Sequence, residues 1–232
     1  ISVGIVQQIT GINAVFFYAP TIFEQSGVGT NAAFAQATVV GLTNVLFTVV
    51  AMVLIDRLGR KPLLIAGLAG IIVSMSLVSY GFGQATYTLT DASVSALEID
   101  AKSKDNLMAL SDTVFQSDVA FKRAVATQID PQVARNHESA IIASAISVNA
   151  ALVLAGILGF VASFAISLGP VMWVLFSEVF PNRIRGIAIG FATIFNSGAS
   201  FLVQFLFPWQ LNTFGTSATF ALFAIVGLLG MG

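Results

Sequence analysis

From Pro62 to Gly83 the chain runs through 22 residues without a charge, and comparable runs recur on either side. A hydrocarbon core about 30 Å thick asks for roughly 20 apolar residues per helix, and a soluble domain has no use for several stretches of that kind. The charges that do occur are concentrated. Of ten Lys and Arg, five lie in two short segments, Asp56 to Pro62 and Phe180 to Gly186. With 56% hydrophobic and 9% charged residues and a mean hydropathy of +0.91, the chain reads as an all-α, polytopic membrane protein. Six spans account for the uncharged sequence: Ser2 to Phe23, Ala32 to Ile55, Pro62 to Gly83, Ala150 to Ser177, Ile184 to Phe207 and Ser217 to Gly232. The absence of cysteine removes disulfides and thiol chemistry but is silent on compartment.

Placing both basic loops on the cytoplasmic side gives a multi-pass protein of the cell (inner) membrane with both ends of the chain cytoplasmic. The segment 84–145 holds five basic and eight acidic residues and falls outside, as an extracellular insert. Leu107, Leu110, Val114 and Val125 have partly helical spacing there, so short helices and a solvated loop are both open readings. The expected organisation is a first three-helix unit over 1–83, the insert over 84–145, and a second three-helix unit over 146–232 with its last helix cut short. The basic loop follows the second helix of the first triplet and the first helix of the second. Two units inserted in opposite orientation produce that pattern, a transporter hallmark. Because the chain starts within an apolar run and stops without a charge after the sixth span, it reads as a fragment that needs an amino-terminal half.

Polar residues inside the spans carry the functional case. Gln7, Gln8, Thr10 and Asn13 crowd the first span, and side-chain amides supply both donors and acceptors, as a neutral polyhydroxylated ligand requires. On a straight helix Gln8 and Asn13 would lie about 140° apart. Both face one ligand only if the helix bends or unwinds near Thr10 and Gly11, which predicts an irregularity there. The competing reading is that these amides bond neighbouring helices. Asn44, Asn196, Gln204 and Gln36 have the same two readings, and of these only Asn44 and Asn196 lie deep in their spans. In the fourth span Gly169 and Pro170 predict a kink that turns Trp173 toward an inner cavity, where indole suits the C–H face of a sugar; the alternative is a Trp at the membrane interface. At the inner helix ends, Asp56, Arg57, Arg60 and Lys61 face a second acid and base set, Glu178, Arg183 and Arg185. Glu178 and Arg185 suit an interlock between conformations, whereas Lys61 fits simple anchoring.

The strings QQITGINAVFFYAPTIF, DRLGRKPLL and GPVMWVLFSEVFPNRIRG resemble the sugar porter family of the major facilitator superfamily, in its carboxyl-terminal six helices, and look most like its bacterial proton-coupled xylose symporters. The resemblance implies that Gln7, Gln8, Asn13 and Asn44 hydrogen-bond sugar hydroxyls, that Trp173 stacks at the sugar and that Asn196 lines the site. It implies an outer gate at Phe17 and Tyr18. It also implies an inner salt-bridge network of Asp56, Arg57, Arg60, Glu178 and Arg185. Ser197 stands where relatives often have a second Trp, and Phe17 where many have Tyr. The 84–145 insert replaces what is usually a short crossing.

The implied partners are a monosaccharide, hexose or pentose, a coupled proton, the lipid bilayer and the amino-terminal half; no cofactor, metal or nucleic acid is expected. Alternating access is the expected mechanism, with proton symport as the first reading. Facilitated uniport or a non-transporting structural membrane partner is the alternative. No acidic residue lies mid-span, since Glu24, Asp56 and Glu178 sit at span ends, so a coupling carboxylate would have to come from the other half. An enzyme is excluded on chemistry: the only histidine, His137, lies in the insert, remote from any nucleophile in a span. A channel would show repeated pore-lining groups.

Overall fold

Backbone amides and carbonyls find no water in a bilayer core, so the long apolar stretches close their hydrogen bonds within helices. The computed structural model describes residues 2–24, 26 and 30–231. Ile1 and Gly232, at the ends of the outermost predicted units, and 27–29 of the first uncharged loop lie outside these. The first predicted span is two helices, α1 (Ser2–Ile9) and α2 (Ile12–Glu24). They are followed by α3 (Thr30–Leu58) and α4 (Arg60–Gly83). After the insert come α10 (Ala150–Ile166), α11 (Leu168–Val179), α12 (Arg185–Thr213) and α13 (Thr216–Leu229).

Four helical stretches are long and apolar enough to cross a membrane: Asn31–Leu58, Arg60–Gly83, Ala150–Val179 and Arg185–Thr213. The first predicted span is divided at Thr10 and Gly11, and the last is the shorter apolar helix α13. Gly11 has φ +90°, a conformation that only glycine adopts without strain. A Cβ there would also lie 2.7 Å from the Phe223 ring.

The fourth span breaks at Ser167 (φ −120°, ψ −95°), not at Gly169 and Pro170, which lie in the first turn of α11. Proline tolerates a helix's first turn because the amide it lacks has no intrahelical partner there. Its effect is therefore displaced toward the amino end.

In the bundle, α4 lies against α10 and α13, and α10 also packs on α3. Small residues permit the α4–α10 approach, as between membrane helices generally. Gly67 faces Ser167 and the Ser163 carbonyl, and Gly156 faces Val78. On the other side α1 packs on α11 and α12, and α2 on α3 and α12.

The insert is folded, and it brings β-structure into a chain read from sequence as all-α. Its elements are β1 (Thr86–Thr88), α5 (Asp91–Ala96), α6 (Ala101–Met108), β2 (Val114–Phe115), α7 (Asp118–Gln128), α8 (Pro131–Asn136), α9 (Glu138–Ala145) and β3 (Ile146–Ser147). The strands form one antiparallel sheet in the order β2-β1-β3, so the unit extends past residue 145. Tyr87, Leu89, Leu107, Phe121, Val125 and Ile141 are buried in its own core, while Val114 is exposed. Burial, reinforced by the Asp118 carboxylate, raises the Tyr87 phenol above its ordinary pKa, so it stays neutral beneath the sheet.

Ile146 and Val148 pack on both this core and that of the bundle. Asp118 accepts hydrogen bonds from the Thr216 amide (2.7 Å) and hydroxyl (2.8 Å) and thereby caps α13. Lys122 pairs with Glu138 at 2.7 Å and donates to Asn212 at 3.3 Å.

Candidate functional site

The α1–α2 break turns Asn13 toward α12, and a directed hydrogen-bond relay results. Gln7 Nε2 donates to the Leu168 carbonyl at 2.9 Å, and Asn196 Nδ2 to the Gly4 carbonyl at 2.8 Å. Backbone carbonyls only accept, so these two contacts fix which end of each amide faces which way. Gln7 Oε1 then accepts from Asn196 Nδ2 (2.8 Å) and from Gln8 Nε2 (3.3 Å). Asn196 Oδ1 accepts from Gln8 Nε2 at 3.0 Å. Gln8 Oε1 accepts from Asn13 Nδ2 at 2.7 Å, and the second Asn13 hydrogen goes to Ser200 Oγ at 2.7 Å. Gln204 Nε2 joins at Ser200 Oγ, 2.9 Å away.

The polarity of the chain is therefore determined from α1 to the far end. Gln7, Gln8 and Asn196 are buried at 4, 8 and 7% exposure, with their polar atoms committed to one another and to backbone. Asn13 is only half-buried, and among the described residues no donor reaches its Oδ1. Of the amides, Asn13 presents the open edge.

The remaining sequence-derived positions fall in three places. Trp173 is 44% exposed and stands edge-on to Phe176, with ring centroids 6.2 Å apart. Phe176 in turn neighbours Gly4, whose carbonyl anchors the relay. Asn44 is not brought to the relay; it lies on α3, half-buried, with its carbonyl accepting from Thr48 at 2.7 Å. Tyr18 packs on Phe207 at 5.0 Å, while Phe17 is 69% exposed.

Between the start of α4 and the end of α11, Arg60 forms a two-pronged ion pair with Glu178, one prong at 3.1 Å and the other from Nη2 to Oε1. Among the described residues Asp56, Arg57 and Arg185 do not join it. Asp56 and Arg57 are exposed, and Arg185 donates to the Phe180 carbonyl at 3.3 Å, which holds its own turn.

Sequence reading missed Ser200 and set Gln204 aside as too near a helix end. The signal available was their spacing with Asn196. Positions 196, 200 and 204 recur every four residues and fall on one stripe of α12, the stripe that meets α1 and α2.

A family model described as Sugar (and other) transporter matches residues 1–110 and 132–232. The chain belongs to that family. The family model's match is interrupted at 111–131, inside the insert. Over 229 residues the chain is 30% identical to the arabinose-proton symporter of Bacillus subtilis (strain 168), covering 99% of the chain and 36% of the relative. It is equally 30% identical, over 236 residues, to the glucose facilitated diffusion protein of Zymomonas mobilis (strain ATCC 31821 / ZM4 / CP4), covering 99% and 37%. The solved structure of the major facilitator superfamily proton:xylose symporter bound to 6-bromo-6-deoxy-D-glucose superposes with a TM-score of 0.63 at 28% identity. That match covers 100% of this chain and 37% of the other. The chain thus spans little more than a third of the length of these relatives. It is a multi-pass membrane protein with a major facilitator type of fold.

In this member of the family the Arg60–Glu178 pair ties the α3–α4 turn to the end of α11. Both side chains are partly exposed, at 35 and 45%, so the pair contributes no more than about 1 kcal/mol. Arg60→Glu in the full-length protein should lower its stability by up to about 1 kcal/mol, and Arg60→Glu with Glu178→Arg should restore it. The thermal midpoint reads the loss; equal midpoints in all three proteins would mean that the pair contributes nothing measurable.

Proposed function

We propose that the chain forms the carboxyl-terminal half of a monosaccharide transporter working by alternating access. In this reading six membrane helices form two inverted three-helix units, with α1 and α2 as one bent span and α13 as the last. The insert lies outside, and the ends of the chain face the cytoplasm of the cell (inner) membrane. The sugar binds at mid-depth between this half and the amino-terminal half. Asn13, Ser200 and Trp173 meet it, and Gln7, Gln8 and Asn196 hold Asn13 in orientation. Phe17 and Tyr18 close the outer side.

The observation that carries the reading is the directed relay ending on the open edge of Asn13. Asn13 Oδ1 lies at the half-buried end of the relay, where a ligand hydroxyl can donate to it. Asn13→Leu in the full-length protein should lower sugar uptake at least tenfold while expression stays comparable; uptake unaffected by the change removes the site.

Facilitated uniport is the second reading. It is favoured by the likeness to a facilitated diffusion protein. Uptake that rises as external pH falls supports proton symport, and pH-independent uptake supports uniport.

A further inference from the structure

We infer that Gln204 is a positioning residue that fixes the polarity of the Ser200 hydroxyl, and thereby selects for a hydrogen-bond acceptor on the sugar atom facing it. The inference rests on the monosaccharide reading above. A serine hydroxyl has two lone pairs and one hydrogen. At Ser200 both lone pairs receive donors: Asn13 Nδ2 at 2.7 Å and Gln204 Nε2 at 2.9 Å. Neither donor is free to turn round. Asn13 is oriented through Gln8 and Asn196 from the Gly4 carbonyl, and Gln204 by its second contact, Nε2 to the Ser200 carbonyl at 3.2 Å.

What is left is the Ser200 hydrogen. Serine and threonine in helices often return it to the carbonyl four residues back, as Thr193 does to Ile189 at 2.8 Å on this same helix. Ser200 does not. Among the described residues its hydrogen has no acceptor, and the amide that donates to Ser200 is that of Asn13, whose Oδ1 also lacks a partner among them. A fixed donor next to a fixed acceptor matches a sugar hydroxyl, which accepts from one and donates to the other. Gln204 reaches the ligand only through Ser200. If a carboxylate stood there, the Ser200 hydrogen would turn toward it, and a lone pair would face the sugar instead.

The test compares analogues within each protein, so that expression level and overall affinity cancel. Competition for uptake is measured with a sugar whose hydroxyls are replaced one at a time by fluorine, which accepts weakly, and by hydrogen, which does not. In the full-length wild type at pH 8.5, one ring position should show fluorine preferred over hydrogen by roughly threefold or more. Gln204→Glu, of equal size, and Ser200→Ala should each abolish that preference. A wild type without the preference at any position, or a preference that survives in either variant, overturns the assignment. A wild type that carries sugar with an unchanged ratio in Gln204→Glu leaves the transporter reading standing and removes only Gln204. A wild type that carries no monosaccharide removes both.

Discussion

Gly67→Ala should leave little folded protein. At this point of the α4–α10 contact an added Cβ would coincide with the Ser167 side chain and lie 2.9 Å from the Ser163 carbonyl. The first obstacle is a side chain and the second is backbone, so relief is only partial when Ser167 is trimmed. Overpacking of a rigid interface costs on the order of 3 kcal/mol, and here it falls beside the Ser167 break that orients α11. The thermal midpoint of the purified full-length protein should drop sharply for Gly67→Ala and recover in part for Gly67→Ala with Ser167→Gly. An unchanged midpoint for the single variant would mean that α4 and α10 pack less closely than described.

Asn196→Leu should act more broadly than loss of one ligand contact. Its amide bonds the Gly4 carbonyl, Gln7 Oε1 and Gln8 Nε2, and leucine removes all three contacts, leaving Gln7 Oε1 and Gln8 Nε2 only their mutual bond at 3.3 Å. Each lost buried hydrogen bond costs about 1 kcal/mol, so both stability and uptake should fall, uptake by about a hundredfold. The telling comparison is with Asn13→Leu, where the open edge is lost and one buried acceptor, Gln8 Oε1, loses its donor, while the contacts among Gln7, Gln8 and Asn196 stay in place. Asn13→Leu should reduce uptake with a much smaller change in thermal midpoint. Equal loss of midpoint in both variants would make the relay purely structural.

The helical framework was legible because uncharged runs of span length leave few alternatives. The break at Thr10 and Gly11 was legible too, since Gln8 and Asn13 belong to one face only if the helix bends. Other features depended on contacts that no local pattern contains. Asn44 and Asn196 look alike as isolated intramembrane amides, yet α12 packs on α1 and carries Asn196 into the relay, while Asn44 stays on α3. Ser200 is chemically unremarkable until Asn13, 187 positions away, donates to it. The break falls at Ser167, two residues before the position that the local pattern favours, where Gly169 and Pro170 are stronger local signals than a serine. The insert's strands are two or three residues long, too short to show alternation, and its charge balance suited a loop as well as a fold.

Ile146 and Val148, which touch both hydrophobic clusters, make the insert a handle without play. A nanobody gripping its outer face would be locked in orientation to the helices below, giving electron microscopy a fiducial on a target that otherwise presents mostly lipid-covered surface. The same continuity means that excising the insert would strip cover from the bundle itself.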